Sequence, residues 1–146
     1  GGIDSYMVSR EITDNIWCPT TGRMKKEEKD MDINHLDWLW WIDWIYELSK
    51  HKYGIQLGTA AAGTFNLNCA YLGIPCVGYN NVNTQRCHPN LSVDVGDVER
   101  AKTLMKKLKE DTDFYDECSK TAIKKYNECF DEKVYIYTMK KVISND

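Results

Sequence analysis

The sequence contains no run of about twenty apolar residues, the length that a helix needs to cross a bilayer, so we expect no transmembrane segment. It has no basic excess either. The net charge is −3 at pH 7, which argues against a nucleic-acid-binding protein. The first residues show neither a basic start nor an apolar stretch, so we expect no signal peptide. These absences favour a protein of the cytoplasm with no nucleic-acid partner.

None of the six cysteines belongs to a C-x-x-C pair, and the chain of 146 residues is long enough to fold without a disulfide framework. Cys69 and Cys76 lie in apolar stretches, where a free cysteine behaves as a small hydrophobic residue. A zinc site at Cys87 and His88 lacks a second pair of ligands at metal spacing, so we expect no metal. We therefore predict buried free thiols and a reducing compartment. The six cysteines are Cys18, Cys69, Cys76, Cys87, Cys118 and Cys129.

Strand-like and helical segments alternate along the chain. Short apolar or alternating runs predict strands, and apolar residues at i, i+3, i+4 and i+7 predict helices. The clearest helical stripe consists of Val98, Ala101, Leu104, Met105 and Leu108. Strands are predicted at residues 3–8, 15–18, 33–38, 53–57, 74–79 and 91–95, and helices at 41–48, 60–72, from 97 onward, about 113–130 and about 132–143.

Strands that alternate with helices predict βαβ units and a parallel sheet covered on both faces. The expected fold is a Rossmann-like three-layer α/β sandwich, with a mainly parallel sheet of about six strands and a helical C-terminus. One step fits poorly, because Val8 and Asn15 are too close for the roughly twelve residues that a parallel crossover requires. We expect a single domain, residues 1–146.

Small residues mark the turn after the fourth predicted strand. In an open α/β sheet, ligands bind beyond the carboxyl ends of the strands. Small side chains there let backbone N–H groups approach a diphosphate, and Asn68 would reach ribose hydroxyls from the following helix. The same composition also suits close packing of a helix on the sheet, and no G-x-G-x-x-G or P-loop pattern is present. The predicted donor-binding residues here are Gly58, Thr59, Ala62, Gly63, Thr64 and Asn68.

The order of these segments resembles the C-terminal domain of two-domain GT-B glycosyltransferases, especially those of the retaining kind. That family has a helix ending near a tyrosine, then a strand, a Glu-Gly-Phe-Gly turn into a helix, a second Glu, and Gly-x-Pro-Val-Val. The best-preserved element here is the Gly-x-Pro-apolar strand. The similar segments are Ile45-Tyr46-Glu47-Leu48, Tyr53-Gly54-Ile55-Gln56-Leu57-Gly58-Thr59, Ala60-Ala61-Ala62-Gly63-Thr64 and Asn68-Cys69-Ala70-Tyr71-Leu72-Gly73-Ile74-Pro75-Cys76-Val77.

The chain departs from the family at both acidic positions. Ala60 stands where the family has its first Glu, and Asn68 stands where it has the second, which holds the ribose. Asn68 keeps a ribose hydrogen bond without the charge, whereas Ala60 cannot replace a carboxylate. The family's phosphate-binding Gly-Arg has two rival counterparts, Arg10 and Arg23. A guanidinium suits a diphosphate because its fork makes two parallel charge-assisted bonds.

The resemblance implies the donor-binding half of a glycosyltransferase, which binds a nucleotide-diphosphate sugar as substrate and uses no cofactor. It implies hexosyl transfer only when an N-terminal acceptor-binding domain, absent from this chain, completes the cleft. The alternative is a non-catalytic Rossmann-like binding or interaction module, which the loss of both acidic positions favours. A receiver-like domain is disfavoured, because no acidic cluster with a phospho-acceptor Asp assembles at the predicted strand ends.

Four of the five tryptophans lie between Trp38 and Trp44. Such a cluster suits either sugar stacking or packing against the core or another domain, and its spacing favours packing. Tryptophans that stay exposed would mark an interface. His35, inside a predicted strand, is expected to be structural, and His88, in a loop, has no assigned role.

Overall fold

Six helices and five short strands make up the described part of the protein. The computed structural model describes residues 2–19, 28, 30–59 and 64–144. In chain order the elements are α1 (Gly2–Arg10), β1 (Trp17–Pro19), β2 (Asn34–Leu36), α2 (Trp41–Leu48), β3 (Gly54–Gln56), α3 (Phe65–Tyr71), β4 (Cys76–Tyr79), β5 (Ser92–Val93), α4 (Val98–Glu110), α5 (Thr112–Cys129) and α6 (Glu132–Ile143), with two 3-10 turns, Asn83–Cys87 and Pro89–Leu91, between β4 and β5.

The described strands form two separate parallel sheets. β1 pairs with β2, placing Trp17 opposite Asn34. β3, β4 and β5 form the second sheet in that order, placing Gly54 opposite Cys76. The expected Rossmann-like three-layer sandwich with about six strands is therefore wrong, because the described strands make sheets of two and three and helices dominate. The parallel β3–α3–β4 unit, joined by β5, is the part of that expectation that the structure contains.

Residues 3–8 form most of helix α1, so the strand predicted there is wrong. Val8 and, just beyond the helix, Ile12 are buried four residues apart, while Ile3 and Met7 are exposed. A spacing of four places both buried residues on one helical face, whereas a strand would bury every second residue. The helix also removes the misfit before Asn15, since no crossover between parallel strands is needed there.

Glycine ends helix α3 and allows the chain to enter β4. Gly73 has φ +69°, and the N–H of Ile74 donates to the Cys69 carbonyl at 2.8 Å, which closes the helix as a Schellman turn. A Cβ at Gly73 would lie 2.9 Å from Ile123 Cδ1 and 3.1 Å from Ser119 Oγ. The helix end predicted at Gly73 is confirmed, and α5 packs directly on it.

The main core lies between the three-stranded sheet and helices α1 and α4. Ala101, Leu104, Met105 and Leu108 are buried, and Val98 packs at the edge, so the predicted stripe is confirmed. These side chains contact the apolar residues that the sheet turns toward them. The other members of this core are Val8, Ile12, Leu57, Val77, Tyr79, Leu91, Val93 and Cys118.

Aspartate caps define the starts of the three C-terminal helices. Asp97, Asp111 and Asp131 each accept a hydrogen bond from a backbone N–H in the first turn, at 2.8–3.0 Å. The helices predicted at about 113–130 and 132–143 are confirmed within one residue at either end. In the part of the chain that the structure describes, no helix combines the length and apolar character needed to span a membrane.

All six cysteines are free thiols, and four of them are buried. Burial raises the pKa of Cys87 and Cys118 to about 11, so both thiols stay protonated and unreactive near neutral pH. Cys69 and Cys76 lie side by side beneath Gly54, whose missing side chain gives them room. The prediction of buried thiols therefore holds for Cys69, Cys76, Cys87 and Cys118, whereas Cys18 and Cys129 are partly exposed.

Candidate functional site

The carboxyl ends of β3, β4 and β5 meet at one edge of the sheet because all three strands run in parallel. Loops 57–59, 80–81 and 94–97 follow these strands. Asn81 Nδ2 donates to the Thr59 carbonyl at 3.1 Å, and Asn80 Nδ2 donates to Asp94 Oδ1 at 2.5 Å. Neighbouring loops are thus tied to one another, and this edge is where open α/β sheets bind ligands.

The first turns of α1 contact the same edge. Ser5 Oγ accepts a hydrogen bond from the N–H of Leu57 at 3.1 Å, and the Tyr79 hydroxyl donates to Asp4 Oδ2 at 3.0 Å. Burial, reinforced by the Asp4 carboxylate, raises the pKa of the Tyr79 phenol. The helix therefore braces β3 and β4 at their carboxyl ends.

Gly58 and Thr59 lie at this edge, as predicted for donor-binding residues. A Cβ built on Gly58 would have no described atom within 4 Å, so the space beside it is open as far as the described residues are concerned. Thr64 precedes α3 and its side chain makes no capping bond. Ala62, Gly63 and Arg23 lie outside the described residues.

Asn68 is occupied by contacts within the fold. It is 5% exposed, and with its amide oriented to satisfy both atoms, Oδ1 accepts from Trp44 Nε1 at 2.8 Å and Nδ2 donates to the Thr64 carbonyl at 3.2 Å. The side chain therefore joins α2 to α3. No local sequence pattern indicates this partner, because Trp44 belongs to another helix.

Arg10 lies away from the carboxyl edge. It ends α1, six residues and about 9 Å along the axis from Asp4. Its Nη1 is 2.8 Å from Asp14 Oδ1 and 3.9 Å from Asp32 Oδ2. The assumption that Arg10 follows a strand is wrong, since it belongs to a helix, and its charge is balanced by two exposed carboxylates.

A buried polar cluster beneath β4 was missed by the sequence analysis. Asn66, Gln85 and His88 are each at most 2% exposed. Asn66 Nδ2 donates to Gln85 Oε1, Gln85 Nε2 donates to the Cys76 carbonyl at 2.9 Å, and His88 Nε2 lies 3.0 Å from the Asn66 carbonyl. Gly78 makes room for the cluster, because a Cβ there would overlap Gln85 Oε1. The cluster ties α3, β4 and the two 3-10 turns together.

His88 is held neutral inside this cluster. Its Nδ1 accepts the N–H of Cys76 at 3.4 Å, so the ring proton lies on Nε2 and is donated to Asn66. Burial lowers the pKa of His88 from 6.5 to about 4. Its role is structural, since both ring nitrogens are engaged with backbone groups and the side chain is enclosed.

An apolar cleft of about 440 Å³ runs between α2, α3 and α5. Trp41, which lines the cleft, is 60% exposed, and Trp38 and Trp40, just before it in the chain, are 60% and 72% exposed. The exposed tryptophans on which the interface hypothesis depends are therefore present, and the interface itself stays a prediction. The residues lining the cleft are Trp41, Ile42, Ile45, Thr64, Leu67, Asn68, Tyr71, Tyr126 and Phe130.

Within the described ranges, no three His, Cys, Asp or Glu side chains gather as they would around a metal ion. Comparison of the chain with models of protein families, with curated proteins and with solved structures gives no match. Function is therefore inferred from the carboxyl edge and the cleft themselves.

Proposed function

We propose that this chain binds a nucleotide-diphosphate sugar at the carboxyl edge of β3, β4 and β5, as the donor-binding half of a glycosyltransferase. The observation that supports this most is the convergence of loops 57–59, 80–81 and 94–97 beside the open space at Gly58. Loops at the carboxyl ends of parallel strands are the usual ligand position in open α/β sheets.

Charge favours the β3 side of this edge as the position of the diphosphate. Asp94 and Asp97 follow β5, where their carboxylates would repel phosphate oxygens. Gly58 and Thr59 follow β3 and carry no charge, so backbone N–H groups there are the favoured phosphate partners. Arg23, which lies outside the described residues, is the cation proposed to neutralise the leaving diphosphate.

Transfer also needs an acceptor site, which in the glycosyltransferases that this chain resembles lies on a second domain. We propose that an N-terminal acceptor-binding domain closes over the carboxyl edge and that the pair carries out hexosyl transfer without a cofactor. The six free thiols fit a reducing compartment such as the cytoplasm.

The test is calorimetric titration of the purified chain with uridine, guanosine and adenosine diphosphates. We expect one of them to bind in the micromolar range, and Gly58→Val to weaken that binding at least about tenfold by filling the open space. Ser49→Val, an exposed substitution at the amino end of the sheet, is the control and should leave binding unchanged. Absence of binding to all three nucleotides by the folded chain would contradict the donor-half proposal.

A non-catalytic interaction module is the second candidate. Two observations favour it: Asn68 is already satisfied by Trp44, and large apolar side chains of α2 and α6 stay exposed. A folded chain that binds no nucleoside diphosphate but self-associates or binds a protein would support it.

A further inference from the structure

Helix α6 carries an apolar stripe that nothing in the described structure covers. The helix has no buried residue. Its five stripe residues, spaced i, i+1, i+4, i+7 and i+8, lie on one helical face, and each is at least 41% exposed. A helix of 12 residues is marginal in water by itself, so this one requires a partner. The stripe consists of Tyr135, Ile136, Met139, Val142 and Ile143.

The cleft between α2, α3 and α5 offers an apolar surface to such a helix. It is an apolar groove of about 440 Å³ with Trp41, Ile42 and Tyr71 exposed along it. An amphipathic helix commonly lays its apolar face in a groove of this kind, with anchors at i, i+3, i+4 and i+7. We propose that two copies of this chain form a closed two-fold dimer, in which α6 of each copy lies in the cleft of the other.

Opposite charges flank the two surfaces. Lys133 and Lys140 lie two turns apart on one border of the α6 stripe, and Asp37 and Asp43 lie next to the exposed tryptophans and Ile42. None of these four side chains has an ion pair within residues 2–19, 28, 30–59 and 64–144. Docking α6 in the cleft brings lysines toward aspartates, whereas pairing α6 with α6 of a second copy would bring lysines together.

The α6 helix does not occupy its own cleft. Phe130, the last residue before the Asp131 cap, lines the end of the cleft, and α6 leaves from that point. Asp131 Oδ1 accepts from the N–H of Lys133 at 2.8 Å, which fixes the helix start in this direction. The α6 helix of a second copy is not restricted in this way. When two copies exchange their α6 helices, both clefts are filled and both apolar stripes are covered.

The area is sufficient for a stable dimer. At the exposures given above, the stripe offers roughly 500 Å² of apolar surface, since a large aromatic side chain buries about 150–250 Å². Two equivalent contacts, each covering a stripe and the matching cleft wall, would bury about 2,000 Å² in total, within the size of specific interfaces.

The experiment is a charge exchange measured by sedimentation equilibrium and light scattering, from about 1 to about 200 µM protein. We expect the chain to be dimeric. Lys133→Glu with Lys140→Glu, or Asp37→Lys with Asp43→Lys, should weaken dimerisation at least about tenfold, and all four together should restore it to within about threefold. Lys120→Glu with Lys124→Glu, on the outer surface of α5, makes the same change of charge as the first pair and should have no effect.

A variant ending at Asp131 provides a second arm, because it removes α6 whole. It is expected to be monomeric with an unchanged core, checked by its circular dichroism and cooperative unfolding. The proposal is overturned if the chain is monomeric throughout the concentration range, the result expected when an acceptor-binding domain covers α6 instead. It is equally overturned if a dimer forms whose dissociation constant is unchanged by the charge exchange or by the removal of α6.

Discussion

Acid should destabilise this protein through His88. As the pH falls, the unfolded chain takes up a proton on His88 when the pH passes 6.5. The folded chain, in which the pKa of His88 is about 4, takes up that proton only near pH 4. Between these pH values the unfolded state binds more protons, so stability declines as the pH falls. At about 1.4 kcal/mol per pH unit, His88 contributes about 3 kcal/mol that is fully present above pH 6.5 and lost by about pH 4.

Urea denaturation between about pH 7.5 and pH 4.5, at constant ionic strength, measures this loss. His88→Gln keeps a donor for the Asn66 carbonyl and removes the titrating ring, so its free energy of unfolding should fall less steeply with acid than that of the natural chain. His35→Gln makes the same replacement outside the buried cluster and should retain the loss caused by His88. If the natural chain and His88→Gln lose stability in parallel over this range, the reasoning about His88 is refuted.

Two further pairs of substitutions test the packing and the caps. Gly54→Ala places a Cβ 2.8 Å from Cys69 Sγ and 3.1 Å from Cys76 Sγ, which should lower the free energy of unfolding by about 1–3 kcal/mol, while Gly58→Ala, with open space beside it, should change it by less than about 0.5 kcal/mol. Asp111→Ala removes the cap of α5 and should lower the free energy of unfolding by about 1 kcal/mol. Asp111→Asn should keep most of the stabilisation that the cap provides. Equal urea midpoints for the two glycine variants, or for the two Asp111 variants, would contradict these assignments.

The C-terminal half of the fold could be predicted because its signals are local. Helices α4, α5 and α6 have apolar spacing near 3.6 residues and begin at aspartates, and Gly73 marks the turn from α3 into β4. Each of these features acts within a few residues, so the sequence shows it directly.

The N-terminal half could not be predicted in the same way. Residues 3–8 mix apolar and polar side chains without a strict period, and they form a helix because Val8 fits the core against α4. β1 and β2 are three residues each and, among the described strands, pair only with one another, so their short runs falsely suggested strands of a larger sheet. Tertiary contacts decide such segments, since local propensity is weak there.

The candidate site was predictable in position but not in every residue. Gly58 and Thr59 lie at the carboxyl edge because the β3–α3–β4 unit formed as expected. The engagement of Asn68 by Trp44 depends on how α2 meets α3, which no short pattern reports. Whether the edge binds a donor sugar stays a prediction for the titration to decide.

Helix α1 has a consequence for how the chain is made. Several side chains that contact α1 lie far along the chain and are synthesised later. They are Tyr79 for Asp4, Lys106 for Glu11 and, 97 residues further along, Lys109 for the Ile12 carbonyl. Leu57 and Tyr79 are synthesised earlier, but until about residue 110 has left the ribosome, the face of α1 that packs against α4 stays uncovered. These ties of high contact order delay the full docking of α1 until helix α4 has been synthesised, so α1 is a segment on which a chaperone that binds nascent chains would act.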